Sequence, residues 1–348
     1  MIGLTLMKKP LFTAKTAFLA LFFVVLFSFS GFTKTTQEEH SSEGAEEANI
    51  NEVILEHVMD DHQWHFADDI VLPLPVIVYS SEKGLDIFSS SHFYNEHHQA
   101  VEYNGYQLVK TDILLADTGK KVLDLSITKN VAMLFINASL LLGVFLSLGS
   151  AYKKNGGKAP KGLQSFLEPI VVFVRDEIVK PNIGHHYEKY LPYLLTLFFF
   201  ILFGNLLGLL PGAANLTGNI AVTCVLALIT FLITNLSGNA NYWKHIFWTP
   251  GVPLPLRIFI LPVELIGVIT KPISLTVRLF VAITAGHIVL LALICLTFIA
   301  HSYYVGAGVS LVVVFINLIE LLVAGIQAYV FTLFTSLYIG TATADDHH

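Results

Sequence analysis

The sequence predicts an all-α membrane protein of about five transmembrane helices, two of them long and strongly tilted. An interfacial amphipathic helix and a small extracytoplasmic N-terminal segment complete the expected fold. Three observations lead there. The chain of 348 residues is 54% hydrophobic and only 13% charged, with a mean hydropathy of +0.66, whereas a soluble domain carries about 25% charged residues. The charge is segregated: 18 of the 26 acidic residues lie between Thr33 and Ser126. From Tyr190 to Thr343 the carboxylates are Glu264 and Glu320, and the bases are Lys244, Arg257, Lys271 and Arg278. Finally, two apolar stretches far exceed the thickness of a bilayer. The net charge of -6 therefore belongs to the N-terminal region and suggests no nucleic-acid partner. Cys224 and Cys295 sit in apolar runs as buried thiols, with no disulfide framework implied.

Residues 1–30 read as a signal peptide, with a retained signal anchor as the alternative: Lys8 and Lys9 precede an apolar core, Thr16 to Ser30, shorter than the roughly 20 residues of a full span, with Ser28 and Ser30 at −3 and −1 positions. Residues 31–126 form an exported polar segment. A helical pattern (Ile50, Val53, Ile54, Val58) is followed by strand-like runs, Val71–Tyr79 and Tyr106–Thr111, broken by Gly and Pro. This segment is rich in histidine. His57, His62 and His65 are close together, but no Cys or HExxH spacing supports a defined metal site, and a solvated polar surface is the expectation.

The membrane domain, 127–344, follows. Its first span is 131–151, and Lys153, Lys154, Lys158 and Lys161 after it mark a cytoplasmic end. Residues 163–180 mix apolar runs with Glu168, Arg175, Asp176 and Glu177, the pattern of a helix lying on the membrane face. Further spans are expected at 190–210, 218–236, 256–300 and 309–338, with an interfacial segment over Tyr242–Pro255 and a cytoplasmic tail at 345–348. Residues 256–300 as one helix would be about 67 Å long against a hydrocarbon core of about 30 Å, so this helix must tilt, bend or run partly in the plane. Pro272 is the expected bend. The mature N-terminus is expected outside and the C-terminus inside.

Ionisable groups at membrane depth are costly and therefore functional candidates. Here they are Glu264, Lys271, Arg278, His287 and Glu320, with Gln327 as an uncharged companion. Arg278 keeps its charge, so it attracts a partner's carboxylate and repels a free cation. Lys271 can snorkel to the interface. At about 100° per residue, Arg278 and His287 fall on opposite faces, Glu264 stands some 21 Å from Arg278 along the axis, and Glu320 and Gln327 share a face. Histidine titrates near neutrality and burial favours a protonated carboxyl group, so His287 and Glu320 suit proton handling, whereas Arg278 reads as a gate.

These residues resemble the a subunit of F-type ATP synthase, the membrane stator beside a rotating c-ring. The motif is Lys271-Pro-Ile-Ser-Leu-Thr-Val-Arg278-Leu-Phe, then Ala285-Gly286-His287. Glu320 with Gln327 before Tyr338 is a second match, and Asn205-Leu-Leu-Gly-Leu-Leu-Pro211 with Thr217-Gly-Asn219 a third. The resemblance runs from about Leu125 to the C-terminus and touches Glu52–Phe66. It implies a bacterial inner-membrane protein that offers two aqueous half-channels to protons, with long helices wrapping the c-ring. Arg278 would hold the unprotonated c-ring carboxylate and block leakage. Glu264, His287 and Glu320 would line the extracytoplasmic half-channel, with Gln327 near Arg278 and with Asn219 and Asn205 as supporting polar groups. The implied partners are the c-ring proteolipid and the b subunit of the peripheral stalk. No cofactor is implied, and ATP chemistry would lie on other subunits. The His287–Glu320 pair is exchanged relative to many members, Ala282 stands at a position often asparagine, and Gly208 replaces a carboxylate. The competing reading is a secondary transporter that binds an anionic substrate at Arg278, but no inverted repeat accompanies it.

Overall fold

The computed structural model describes residues 60–67, 70–80, 83–94, 101–109, 111–154, 162–210, 212–247, 253–300 and 303–344. The signal segment, the 50–58 helical pattern and the four-residue tail lie outside them.

The first described unit is a small β domain. Strand β1 (Gln63–Ala67) pairs with β2 (Ile70–Pro73), and β3 (Pro75–Ser80) lies between β4 (Gly84–Ser89) and β7 (Leu123–Asp124); β5 (Tyr106–Val109) pairs with β6 (Asp112–Leu115), all antiparallel. Alternation builds the core, because successive strand residues face opposite sides: Val76, Val78, Tyr106, Leu108, Ile113 and Leu115 point inward and join Phe93 and Val122. Asn104 and Gly105, with φ of 52° and 71°, supply the two left-handed positions of a tight turn closed by Tyr103 and Tyr106. Of the strand-like runs read from the sequence, 71–79 is divided between β2 and β3 at Leu74, and the second carries β5 over Tyr106–Val109.

A hydrogen-bonded seam joins this domain to the membrane helices. Leu125 N–H donates to the Ile77 carbonyl at 2.8 Å, and Lys129 N–H to that of Asp61 at 2.9 Å. The Thr128 hydroxyl and Asn130 N–H donate to Asp60 at 2.8 and 3.2 Å. Buried His62 lies 2.8 Å from Asp124.

Helix α1 (Lys129–Lys154) is followed by α2 (Leu163–Phe173), a π-helical turn (Val174–Val179) and the short α3 (Lys180–Ile183). Gly184, at φ 72°, ψ −136°, breaks the helical path before α4 (Tyr187–Gly208). α4 is apolar around its circumference, the mark of a central helix, and buries Leu194, Phe199 and Ile201 completely. α1 approaches it closely at Gly204, where Asn137 donates to the Phe200 carbonyl at 3.0 Å. The chain bends by 102° between α5 (Ile220–Leu236) and α6 (Ala240–Phe247). Two long helices close the fold: α7 (Leu254–Ala300, 47 residues) and α8 (Tyr303–Thr343, 41 residues).

Among the described residues four helical stretches are long and apolar enough to cross a membrane, five if the bent pair α5 and α6 counts as one span. This is a multi-pass, mostly helical membrane protein. α8 begins at Tyr303, earlier than the position 309 expected for the last span. Glycine at 306 packs against Thr297 of α7, so the two helices approach closely at this level.

Candidate functional site

Four contacts set the register of α7 against α8. Lys271 Nζ lies 5.3 Å from the Tyr338 ring centroid, the Arg278 guanidinium 4.3 Å from that of Phe334, and His287 Nδ1 3.3 Å from Glu320 Oε1; Gly306 meets Thr297. Numbers rise on one helix as they fall on the other, so the pair is antiparallel. By this register Gln327 stands level with Ala282, about one turn from Arg278.

His287 and Glu320 meet where α4, α7 and α8 converge. Glu320 is 8% exposed, and its Oε2 is buried with no hydrogen-bond partner among the described residues. Gly286 makes the approach possible, since a β-carbon there would overlap the Glu320 carboxyl group. The other imidazole nitrogen, Nε2, lies 3.2 Å from the Gly208 carbonyl at the end of α4. A carbonyl only accepts, so Nε2 carries a proton. Nδ1 and Glu320 Oε1 then hold one proton between them: neutral imidazole facing a carboxylic acid, or imidazolium facing a carboxylate. The arrangement can take a proton from one side and pass it on by exchange between two atoms.

Supporting polar residues organise the same end. Thr217 donates to Asn205 Oδ1 at 2.6 Å, and Asn205 Nδ2 donates to the Ala324 carbonyl of α8 at 3.2 Å. Asn215 Oδ1 accepts from Gly218 N–H at 3.2 Å and packs on Gly208, leaving little room for a side chain there. The backbone carbonyl of Gly208 is thus the polar group at this position. Asn219 uses its side-chain oxygen to cap α5, accepting from Ala221 N–H at 2.9 Å.

Arg278 is half-buried between the two ends of the pair. Its guanidinium stacks on Phe334 and reaches Ser274 Oγ at 3.5 Å. Among the described residues no carboxylate pairs with it. Although helical phase sets Arg278 and His287 on opposite sides of α7, both reach α8. The long arginine bends round to Phe334, and Glu320 crosses to His287 over the bare Gly286. Phe334 is invisible in the sequence as a site residue because the stack depends on how two distant segments align.

The structure separates Glu264 from His287 and Glu320, with which the family resemblance groups it. The 23 helical steps of α7 from Glu264 to His287 span about 34 Å. Glu264 lies instead near Lys271 and Tyr242, with which it interacts electrostatically. Lys271, Tyr338, Tyr242, Asn235, Thr234 and Thr230 line a recess at that end. Polar clusters therefore flank Arg278 on both sides along the α7–α8 pair. Among the described residues no three His, Cys, Asp or Glu side chains gather as a metal site, and His62 pairs with Asp124.

Comparison with known proteins agrees with this architecture. The ATP synthase A chain family matches residues 131–340, and a domain of unknown function (DUF8433) matches 53–134. An ATP synthase subunit a 2 from Chlorobaculum tepidum is 48% identical over 233 residues, 65% of this chain and 66% of that protein. ATP synthase subunit a from Chlorobium phaeobacteroides strain BS1 is 37% identical over 89% of this chain and 81% of its own length. That from an Anaeromyxobacter species is 37% identical over 89% and 75%. The chain belongs to the ATP synthase A chain family, as an a subunit of the F-type ATP synthase, a membrane subunit without a catalytic site for ATP.

Proposed function

We propose that the chain carries protons between the two faces of a bacterial inner membrane through two half-channels separated by Arg278, in exchange with carboxylates of a c-ring. The observation that carries this reading is the unpaired guanidinium of Arg278. A charge at membrane depth is retained at a cost of at least about 2.5 kcal/mol, and here, among the described residues, it faces the Phe334 ring and the Ser274 and Tyr338 hydroxyls but no carboxylate. A carboxylate from another chain is the missing counterpart. Beside Arg278, α7 exposes an apolar stripe at helical spacing, Phe259, Val263, Ile266, Ile273, Val277 and Val281, which suits packing against helices of a ring.

His287 and Glu320 form the extracytoplasmic half-channel's proton-exchanging pair. Glu264, with Lys271 and Tyr242, belongs to the cytoplasmic opening. Arg278 between them holds the deprotonated ring carboxylate and repels free protons. Asn205 aligns α4 with α8, Asn219 caps α5, and Gln327 stands at the level of the gate. The mature N-terminus is extracytoplasmic and the C-terminus cytoplasmic, and the b subunit of the peripheral stalk is a further partner.

In membrane vesicles containing the assembled complex, Arg278→Ala is expected to abolish ATP-driven proton pumping. Pumping at the wild-type rate by that variant would defeat the proposal.

A further inference from the structure

We infer that the exported β domain is a positioning device for His287, acting from Trp64 through the α4–α5 loop. This inference rests on the reading of His287 and Glu320 as a proton-exchanging pair and adds a component outside the membrane domain.

Trp64, on β1, is 6% exposed although it belongs to the exported segment. Its indole Nε1–H donates to the Gly212 carbonyl at 2.7 Å. Gly212 has a φ of 76°, a left-handed conformation that suits glycine, so its carbonyl is turned in a fixed direction. The indole ring also forms one apolar cluster with Leu74 of the same domain, Met133 of α1 and Ala214 of the loop, and Leu207 of α4 packs against that cluster. Leu207 immediately precedes Gly208, whose carbonyl receives His287 Nε2. The loop itself is tight: Ala213 N–H donates to the Leu210 carbonyl at 3.0 Å, and Leu210 N–H to that of Leu207 at 3.1 Å. An unbroken run of contacts therefore leads from the exported domain to the acceptor that fixes which imidazole nitrogen carries the proton.

The consequence is chemical. With the Gly208 carbonyl held in place, Nε2 keeps its proton and Nδ1 is the exchanging atom facing Glu320. If that carbonyl moves away, the other tautomer becomes accessible, Nδ1 is protonated in the neutral ring, and exchange with Glu320 loses its defined direction. Glu320 is the titratable group facing His287 from α8, α4 presents the Gly208 carbonyl, and Arg278 stands nine residues away on α7. Trp64 is a positioning residue and takes no proton itself.

The test uses the complete ATP synthase in proteoliposomes, with ATP-driven acidification of the lumen measured from pH 6 to 9. Trp64→Ala is expected to slow pumping about three- to tenfold, the effect of losing one neutral hydrogen bond, and to displace its pH profile. Trp64→Phe fills the apolar cluster without the N–H and is expected to give a smaller change in the same direction. His287→Gln alone tests the underlying reading, and wild-type pumping by it overturns that reading and this inference together. If His287→Gln is slow, the double variant with Trp64→Phe is expected to be no slower than His287→Gln, because both act on one step. Wild-type rate and pH profile in both Trp64 variants, or a full additive loss in the double variant, overturns the inference while leaving the reading of His287 intact. Should Trp64→Ala fail to assemble, Trp64→Phe carries the test with the same outcomes.

Discussion

Gly286 shows how much the site depends on an atom that is absent. A β-carbon at 286 would occupy the place of the Glu320 carboxyl group. That group is the end of a flexible side chain, so it can swing aside without unfolding the helix pair. Alanine also favours helix over glycine by about 1 kcal/mol. Gly286→Ala is therefore expected to assemble normally yet to slow ATP-driven proton pumping roughly tenfold, the factor that corresponds to about 1.4 kcal/mol. An assembled variant that pumps at the wild-type rate would show that the His287–Glu320 contact is dispensable. Arg278, His287 and Glu320 are legible in the sequence as costly ionisable groups in apolar surroundings. Phe334 and the Gly208 carbonyl are not, since neither an apolar ring nor a backbone oxygen carries any compositional signal.

Among the elements, the edge of the β domain that adjoins α1 has a defined pH response. Burial works against protonated His62, but the Asp124 hydrogen bond and charge, with Asp61 and Asp60, lift its pKa above the ordinary imidazole value. Burial likewise works against ionised Asp124, yet the His62 hydrogen bond and charge and Ser126 hold it below the usual carboxylate value. The raised histidine stabilises the fold below its unfolded pKa of about 6.5, and that contribution fades as pH rises through the folded value. The lowered aspartate contributes above its unfolded pKa near 3.9 and fades as pH falls through the folded one. Asp60, raised by burial despite bonds from Thr128 and Asn130, contributes stability below about 3.9 that fades as pH rises through its folded value. The β1–β2 hairpin is thus expected to be protected most between about pH 4 and 6.5. Hydrogen exchange of its amides in the intact protein, corrected for intrinsic rates, should show protection decreasing toward pH 8. Asp124→Asn should flatten that trend, and an unaltered trend in this variant would exclude the pair as its source. The strands themselves follow from alternating sequence patterns; their docking on α1 does not, because it depends on Asp60 meeting Thr128 and Asn130, 68 and 70 residues away.

At the scale of the whole molecule, α7 and α8 expose long apolar faces whereas α4 is buried nearly all round. In a membrane such faces meet lipid or another helix, and the unpaired Arg278 beside one of them favours a partner that brings a carboxylate. A mild detergent extract is therefore expected to bring down a small two-helix proteolipid with an Asp or Glu midway along one helix; persistent recovery of this chain without it would count against the ring as partner. The mostly helical, multi-pass character and the two overlong helices were determined by the sequence alone, because bilayer thickness and the cost of buried charge act on local composition. The grouping of the ionisable residues was decided only by tertiary structure. The antiparallel register of α7 on α8 joins His287 to Glu320, sets Glu264 at the far end, and lays Arg278 on Phe334. That register depends on side-chain packing between segments distant in the chain, with the bare surface of Gly286 admitting the carboxyl group, and no local pattern encodes it.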